Sequence, residues 1–239
     1  MTTPLFRDDA YLTKAPGVVV SHTITGGIVL DASLFYPNGG GQPGDSGRLI
    51  YDGGEMAVAT TVKGEGDQIV LLPADGMPVP PVGARVIQHL DWDKRLRYMR
   101  IHTALHLLSV VIPLPVSGGQ ISAEKGRLDF DMPEAIEDKL AVEDALNALI
   151  SHDLAVSESW ITDEELAAKP ELVKTMSVKP PVGSGRVRLI RIGTDSEQID
   201  LQPCGGTHVA RTSEIGAVFL GKMEKKGRQN RRVNLHLET

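Results

Sequence analysis

Between residues 73 and 83 the chain reads PADGMPVPPVG, with prolines at Pro73, Pro78, Pro80 and Pro81 and glycines at Gly76 and Gly83. Proline fixes φ and lacks an N–H, so this stretch can be neither a helix nor a central strand. It reads as the last loop of a first domain. Before it, short apolar runs alternate with Gly, Asp and Pro clusters: Val18–Val20, Ile28–Leu30, Leu34–Tyr36, Leu49–Tyr51, Val58–Val62 and Ile69–Leu72. Strands at that spacing predict a small barrel or sandwich. After it, Asp91-Trp92-Asp93 caps a helix running to about Ile112, where Pro113 and Pro115 stop it. A second helix is expected from Pro133 to about Asp153, with Ile136, Leu140, Leu146, Leu149 and Ile150 as its apolar stripe. A short one spans Asp163 to Lys169. Beyond Gly185 the pattern alternates with period two, and Glu214 to Lys222 and Arg231 to Leu237 flank a turn at Lys226-Gly227. The expectation is an α+β chain. Residues 1–90 form an N-terminal small β-barrel domain, and residues 91–239 an α+β domain with helices packed on an antiparallel sheet.

The 239 residues, 41% hydrophobic, are enough for each part to bury its own core. A net charge of −6 excludes a whole-protein electrostatic grip on nucleic acid, so any such contact must be a local patch. The single cysteine, Cys204, excludes an intramolecular disulfide. The residues after Met1 lack the basic and apolar regions of a signal peptide, and no run approaches the ~18 apolar residues of a membrane span. A cytoplasmic monomer with no membrane partner is expected.

Four positions carry metal chemistry. On a helix at ~100° per residue, Ile101, Leu105, Leu108 and Ile112 form the core stripe, and His102 and His106 project together beside it. Residues four apart stand ~6 Å apart at Cβ, so two imidazoles there can share an ion. Alone, histidines four apart are common and read as two unrelated residues on a half-exposed face. Cys204-Gly-Gly-Thr-His208 repeats the spacing on a turn after a strand, where two glycines let the backbone bend. Four of the chain's eight Cys and His residues fall in these two clusters. Three imidazoles and one thiolate favour one zinc ion over iron or copper. Whether such an ion activates water or only holds structure is left open.

Two further features concern ligands. The segment from Pro37 to Gly47, PNGGGQPGDSG, lacks the Gly-Lys-Ser/Thr ending of a P-loop. It reads as a flexible hairpin end or as a ligand-facing loop presenting Gly40, Gly41, Gln42 and Asp45. Near the C-terminus Lys222, Lys225, Lys226, Arg228, Arg231 and Arg232 fall within eleven residues, with Glu224 the only acid. On a hairpin these side chains form a local RNA contact, to which Arg95, Arg97 and Arg100 add.

The motifs YPNGGGQPGDSG (36–47), RIHTALHLL (100–108), GRLDFD (126–131), IDLQPCGGTHVARTSEIG (199–216) and KMEKKGRQNRRV (222–233) together resemble the free-standing alanyl-tRNA editing proteins, the AlaX group. The glycine-rich loop looks like that of the longer forms, which carry an N-terminal β-barrel. The resemblance implies a trans-acting deacylase that clears tRNA(Ala) mischarged with serine or glycine. It implies zinc on His102, His106, Cys204 and His208, and it makes Gln42 a substrate contact. Thr103, Asp200 and Thr207 lie inside the matched motifs, where they shape the pocket or orient ligands. Gln120 and Ser122 correspond loosely to a pocket strand. Lys225, Lys226, Arg228, Arg231 and Arg232 join Gly40 and Gly41 as substrate-binding residues. No synthetase catalytic domain fits in this length. A non-catalytic zinc-containing tRNA-binding module and a zinc hydrolase for small esters are the competing readings.

Overall fold

A computed structural model describes residues 1–175 and 185–238. The chain divides into two compact units, residues 1–96 and 97–239. In the first, β1 (Thr3–Pro4), β2 (Lys14–His22), β3 (Ile28–Leu30), β4 (Ala32–Ser33), β5 (Gly47–Tyr51), β6 (Gly54–Lys63), β7 (Ile69–Pro73) and β8 (Arg85–Leu90) follow in order. Six of them close a barrel in the order β2-β3-β7-β6-β5-β8, with every neighbouring pair antiparallel. Val19, Leu30, Leu49, Met56, Val58 and Leu71 fill its interior. Closure leaves no free edge.

The barrel expected from the sequence is present, with two corrections in its parts. Residues 34–36 are buried but are not a strand. Side chains rather than a ladder take their N–H groups: Leu34 donates to Gln88 Oε1 (3.1 Å), Phe35 to Ser33 Oγ (3.2 Å) and Tyr36 to Asp45 Oδ2 (2.6 Å). Conversely, β8 was not expected. Its inward row is Val86, Gln88 and Leu90, and the buried amide of Gln88 interrupts the apolar alternation. That amide also donates to the carbonyls of Pro16 and Ala32 at 3.1 Å each.

In the second unit follow α1 (Trp92–Val111, whose first turn belongs to the first unit), β9 (Val116–Ile121), β10 (Lys125–Asp131), α2 (Lys139–Ser151), β11 (Val156–Thr162), α3 (Asp163–Ala167), β12 (Arg186–Gly193), β13 (Gln198–Pro203), β14 (Val218–Lys225) and β15 (Asn230–Leu237). The strands form two antiparallel sheets, β14-β15-β10-β9 and β11-β12-β13. Helix α1 is buried on almost every side: Tyr98, Met99, Ile101, Ala104, Leu105, Leu107 and Leu108 are all at 5% exposure or less. It lies close against β10, where a Cβ on Gly126 would come within 2.5 Å of Ile101 Cγ2. No described helix is long and apolar enough to cross a membrane.

Helix α2 starts at Lys139, not Pro133, because the Asp138 carboxylate caps it by accepting from Ala141 N (2.9 Å). Leu140, expected in the apolar stripe, is 67% exposed, whereas Leu146 and Ile150 are buried. This helix also completes the sheet beside it. Asn147 exchanges two hydrogen bonds with the backbone of Val218, and Glu143 accepts from Leu220 N (2.8 Å), so side chains occupy the start of the outer edge of β14. The hairpin β14–β15 is present. Its first strand begins at Val218, since Thr212–Ile215 forms a 3-10 turn.

Candidate metal centre

Helix periodicity puts His102 and His106 on one side of α1, one turn apart. Strand β13 ends at Pro203 and delivers Cys204, and the following turn returns His208 to the same place. One donor atom from each of the four lies within 4.8 Å of every other. Cys204 Sγ is 3.4 Å from His102 Nε2 and 3.3 Å from His208 Nε2. Donors of a tetrahedral ion with N and S ligands stand ~3.5 Å apart, and the two Sγ–Nε2 separations match that spacing. All three imidazoles are buried, not half-exposed as the helix stripe alone suggested. Nor does the turn use a left-handed bend at Gly205 or Gly206; neither is among the positive-φ glycines.

Two neighbours decide which nitrogens turn toward the centre of the cluster. The Thr103 hydroxyl donates to Met99 O (2.9 Å), so toward His208 Nδ1, at 3.1 Å, it accepts. That places the His208 proton on Nδ1 and the lone pair on Nε2, toward the thiolate. Asp200 Oδ2 accepts from His106 Nδ1 (3.1 Å), which likewise leaves Nε2 as the nitrogen on the inner side of the cluster. Asp200 is itself held by Gln202 Nε2 (2.7 Å) and by Lys174 Nζ (2.5 Å). The backbone of the Cys204 turn is pinned by Arg188, whose Nη1 donates to Cys204 O (3.1 Å) and Gly206 O (2.8 Å), while Glu158 pairs with its Nε.

The electrostatics follow from this packing. Burial by itself would raise the Cys204 thiol, but His102 and His208 outweigh it and hold the thiol well below its ordinary value. Burial, and then His102, push His208 down. Burial also acts to lower His106, yet hydrogen bonds with Asp200 and Cys204 reverse this and lift it to about 9. For Asp200, burial acts upward, but His106 and Lys174 hold it at about 2. Thiolate, neutral imidazole and carboxylate are the forms a metal centre requires.

Residues 187–234, which include Cys204 and His208, match the family described as Threonyl and Alanyl tRNA synthetase second additional domain. Residues 13–94, the barrel, match tRNA synthetases class II (A). The alanyl-tRNA editing protein AlaX-M of Methanosarcina acetivorans is 34% identical over 98% of each chain. That of Saccharolobus solfataricus is also 34% identical, again over 98% of both. The chain belongs to the alanyl-tRNA editing protein family. An alanine–tRNA ligase of Pyrobaculum neutrophilum is 33% identical over 94% of this chain, which covers only 25% of that ligase.

The other residues singled out by motif are distributed as follows. Thr103 and Asp200 touch histidines of the cluster directly, and Thr207 is buried in the turn between Cys204 and His208. Gln42 belongs to the first unit and is buried at 2% exposure. Its backbone pairs with Gly39, while Gly40 and Gly41 form the exposed tip at φ 57° and 83°. Asp45 is committed to structure: its carboxylate pairs with the buried Arg95, whose other N–H groups reach the carbonyls of Ala10 and Leu34. Gln120 is exposed on β9 and accepts from Arg127, and Ser122 forms the β9–β10 turn. Of the basic hairpin, Lys222, Lys225, Lys226 and Arg228 are exposed. Arg232 instead pairs with Asp129 (2.8 and 2.9 Å), and Arg231 donates to Pro133 O. Sequence reasoning missed Lys174, Arg188 and Gln202. Only Gln202 carried a signal, as the residue two after Asp200 on the same strand face.

Proposed function

We propose that this chain hydrolyses the ester of tRNA(Ala) mischarged with serine, with glycyl-tRNA(Ala) as a second substrate, using one Zn²⁺ on His102, His106, Cys204 and His208. The observation that carries the reading is the four-donor cluster with its Nε2 atoms turned inward by Thr103 and Asp200, in a member of the alanyl-tRNA editing family. A bound Zn²⁺ supplies a fixed positive charge beside the ester carbonyl. The reaction adds water across the ester, breaks its C–O bond, and releases the amino acid and a free ribose hydroxyl. An aminoacyl ester is already activated, so positioning and charge stabilisation suffice and no covalent nucleophile is needed.

The chain's own groups serve this by holding geometry. Thr103 has its hydroxyl engaged by Met99, His208 and Val209 N, which makes it an orienter of His208 and not a sensor of the substrate hydroxyl. Sparing of alanine requires a polar partner for the serine hydroxymethyl group, a contact of the kind that discriminates by large factors. The exposed Lys225, Lys226 and Arg228 take phosphates of the tRNA. The test is release of labelled serine from seryl-tRNA(Ala), with alanyl-tRNA(Ala) and buffer alongside. Loss of serine with alanine spared, abolished together with metal in His106→Ala, is expected. Bound tRNA and bound metal without hydrolysis would make the protein a binding module.

A further inference from the structure

We infer that Trp160 is a stacking platform for the terminal nucleobase of the acylated RNA strand, an inference that rests on the function proposed above. Across the sheet β11-β12-β13, Trp160 pairs with Arg188, and Cys204 N donates to the carbonyl of Arg188 (3.1 Å). Trp160, Arg188 and Cys204 therefore stand in one row, with directly paired residues on the same face. The row spans two strand spacings, about 10 Å from end to end. That is the scale of a ribose and its base measured from the ester. An ester at the metal centre thus has its nucleobase within reach of the indole.

Three observations make this a base site. The chain has two tryptophans, and this one is 41% exposed, open to a flat ligand. Gly205, next to the thiolate, is exposed, does not need a positive φ, and a Cβ there would meet nothing within 4 Å. The fold does not demand glycine at that point; its bare backbone keeps the surface beside Cys204 clear. Between the two, the Arg188 guanidinium is occupied by Glu158 and two carbonyls. Its charge is neutralised, so the row does not present a phosphate site. Indole and guanidinium planes both stack bases, and stacking tolerates any base.

Deacylation of seryl-tRNA(Ala) by Trp160→Ala, Trp160→Phe and Phe219→Ala is compared with wild type. Phe219 is a control aromatic, 40% exposed on the other sheet. Trp160→Ala should raise KM about ten-fold or more, with kcat and metal content near wild type. Trp160→Phe should restore most of the loss, and Phe219→Ala should not reproduce it. In a Trp92→Phe background, an unacylated RNA hairpin with a single-stranded 3′ end should quench the remaining tryptophan fluorescence. Wild-type hydrolysis with KM unchanged in Trp160→Ala and no quench would overturn the inference. So would a change in oligomeric mass with RNA affinity intact, which would assign Trp160 to self-association. Quenching without any hydrolysis would uphold the platform and refute the hydrolase reading.

Discussion

The Thr103 hydroxyl and the Asp200 carboxylate each receive an imidazole Nδ1–H, and each thereby leaves Nε2 as the ring nitrogen on the Cys204 side. Removing such a partner lets the ring flip or re-protonate, at a cost of about 10–100-fold in metal affinity. Thr103→Ala and Asp200→Asn should each weaken binding by that factor in a competition titration, and Thr103→Ser should retain it. Equal affinities throughout would assign these two residues to packing alone. At this scale the four donors were legible, because His102 with His106 and Cys204 with His208 share a four-residue spacing in short motifs. Lys174 and Arg188 were not. They reach the centre from β12 and from the segment before residue 175, and no local pattern marks a long cation as the partner of one distant carboxylate or carbonyl. Burial of the histidines was also hidden, since a helical wheel shows the stripe that must be inside and not the polar groups a second layer will cover.

On the hairpin β14–β15 the six basic residues divide into two groups. Arg231 is held by Pro133 O and Arg232 is drawn inward by Asp129, which also takes Arg127 Nη1 (2.6 Å), and this holds the Asp129 carboxyl below the ordinary carboxylate range against the effect of its burial. Lys222, Lys225, Lys226 and Arg228 stay at the surface. Each phosphate contact contributes ~0.7–0.9 to the slope of log affinity against log salt. The triple change Lys225→Ala, Lys226→Ala, Arg228→Ala should therefore reduce that slope by about 2–3, measured by tRNA binding over a salt series. Arg232→Ala should leave the slope within about one contact of wild type. A flat response of the slope to the triple change would remove the hairpin tip from the RNA site. The cluster's composition was readable, but its division was not, because Asp129 lies a hundred residues earlier in the chain.

For the molecule as a whole, the barrel was legible as a series of short strands, yet two of its details depended on buried polar side chains. Gln88 and Asp45 supply backbone-like acceptors to residues 34–36, so an apolar run became a side-chain-held loop and a polar-interrupted run became β8. The glycine-rich segment is likewise fixed in place by the Asp45–Arg95 pair inside the first unit. Truncating one partner of a buried pair costs about 3–5 kcal/mol, because the other charge is left unpaired. Asp45→Ala should lose stability by that amount in urea denaturation, whereas a loss under about 1 kcal/mol would show that water reaches Arg95. The β14 edge carries a different consequence. With Asn147 and Glu143 of α2 already bonded to the backbone of Val218 and Leu220, an incoming strand finds the first three residues of that edge engaged. Copies of this chain crowded together therefore meet helix side chains, not bare backbone, where β14 begins, and α2 shortens the length of border on which a shared sheet could grow.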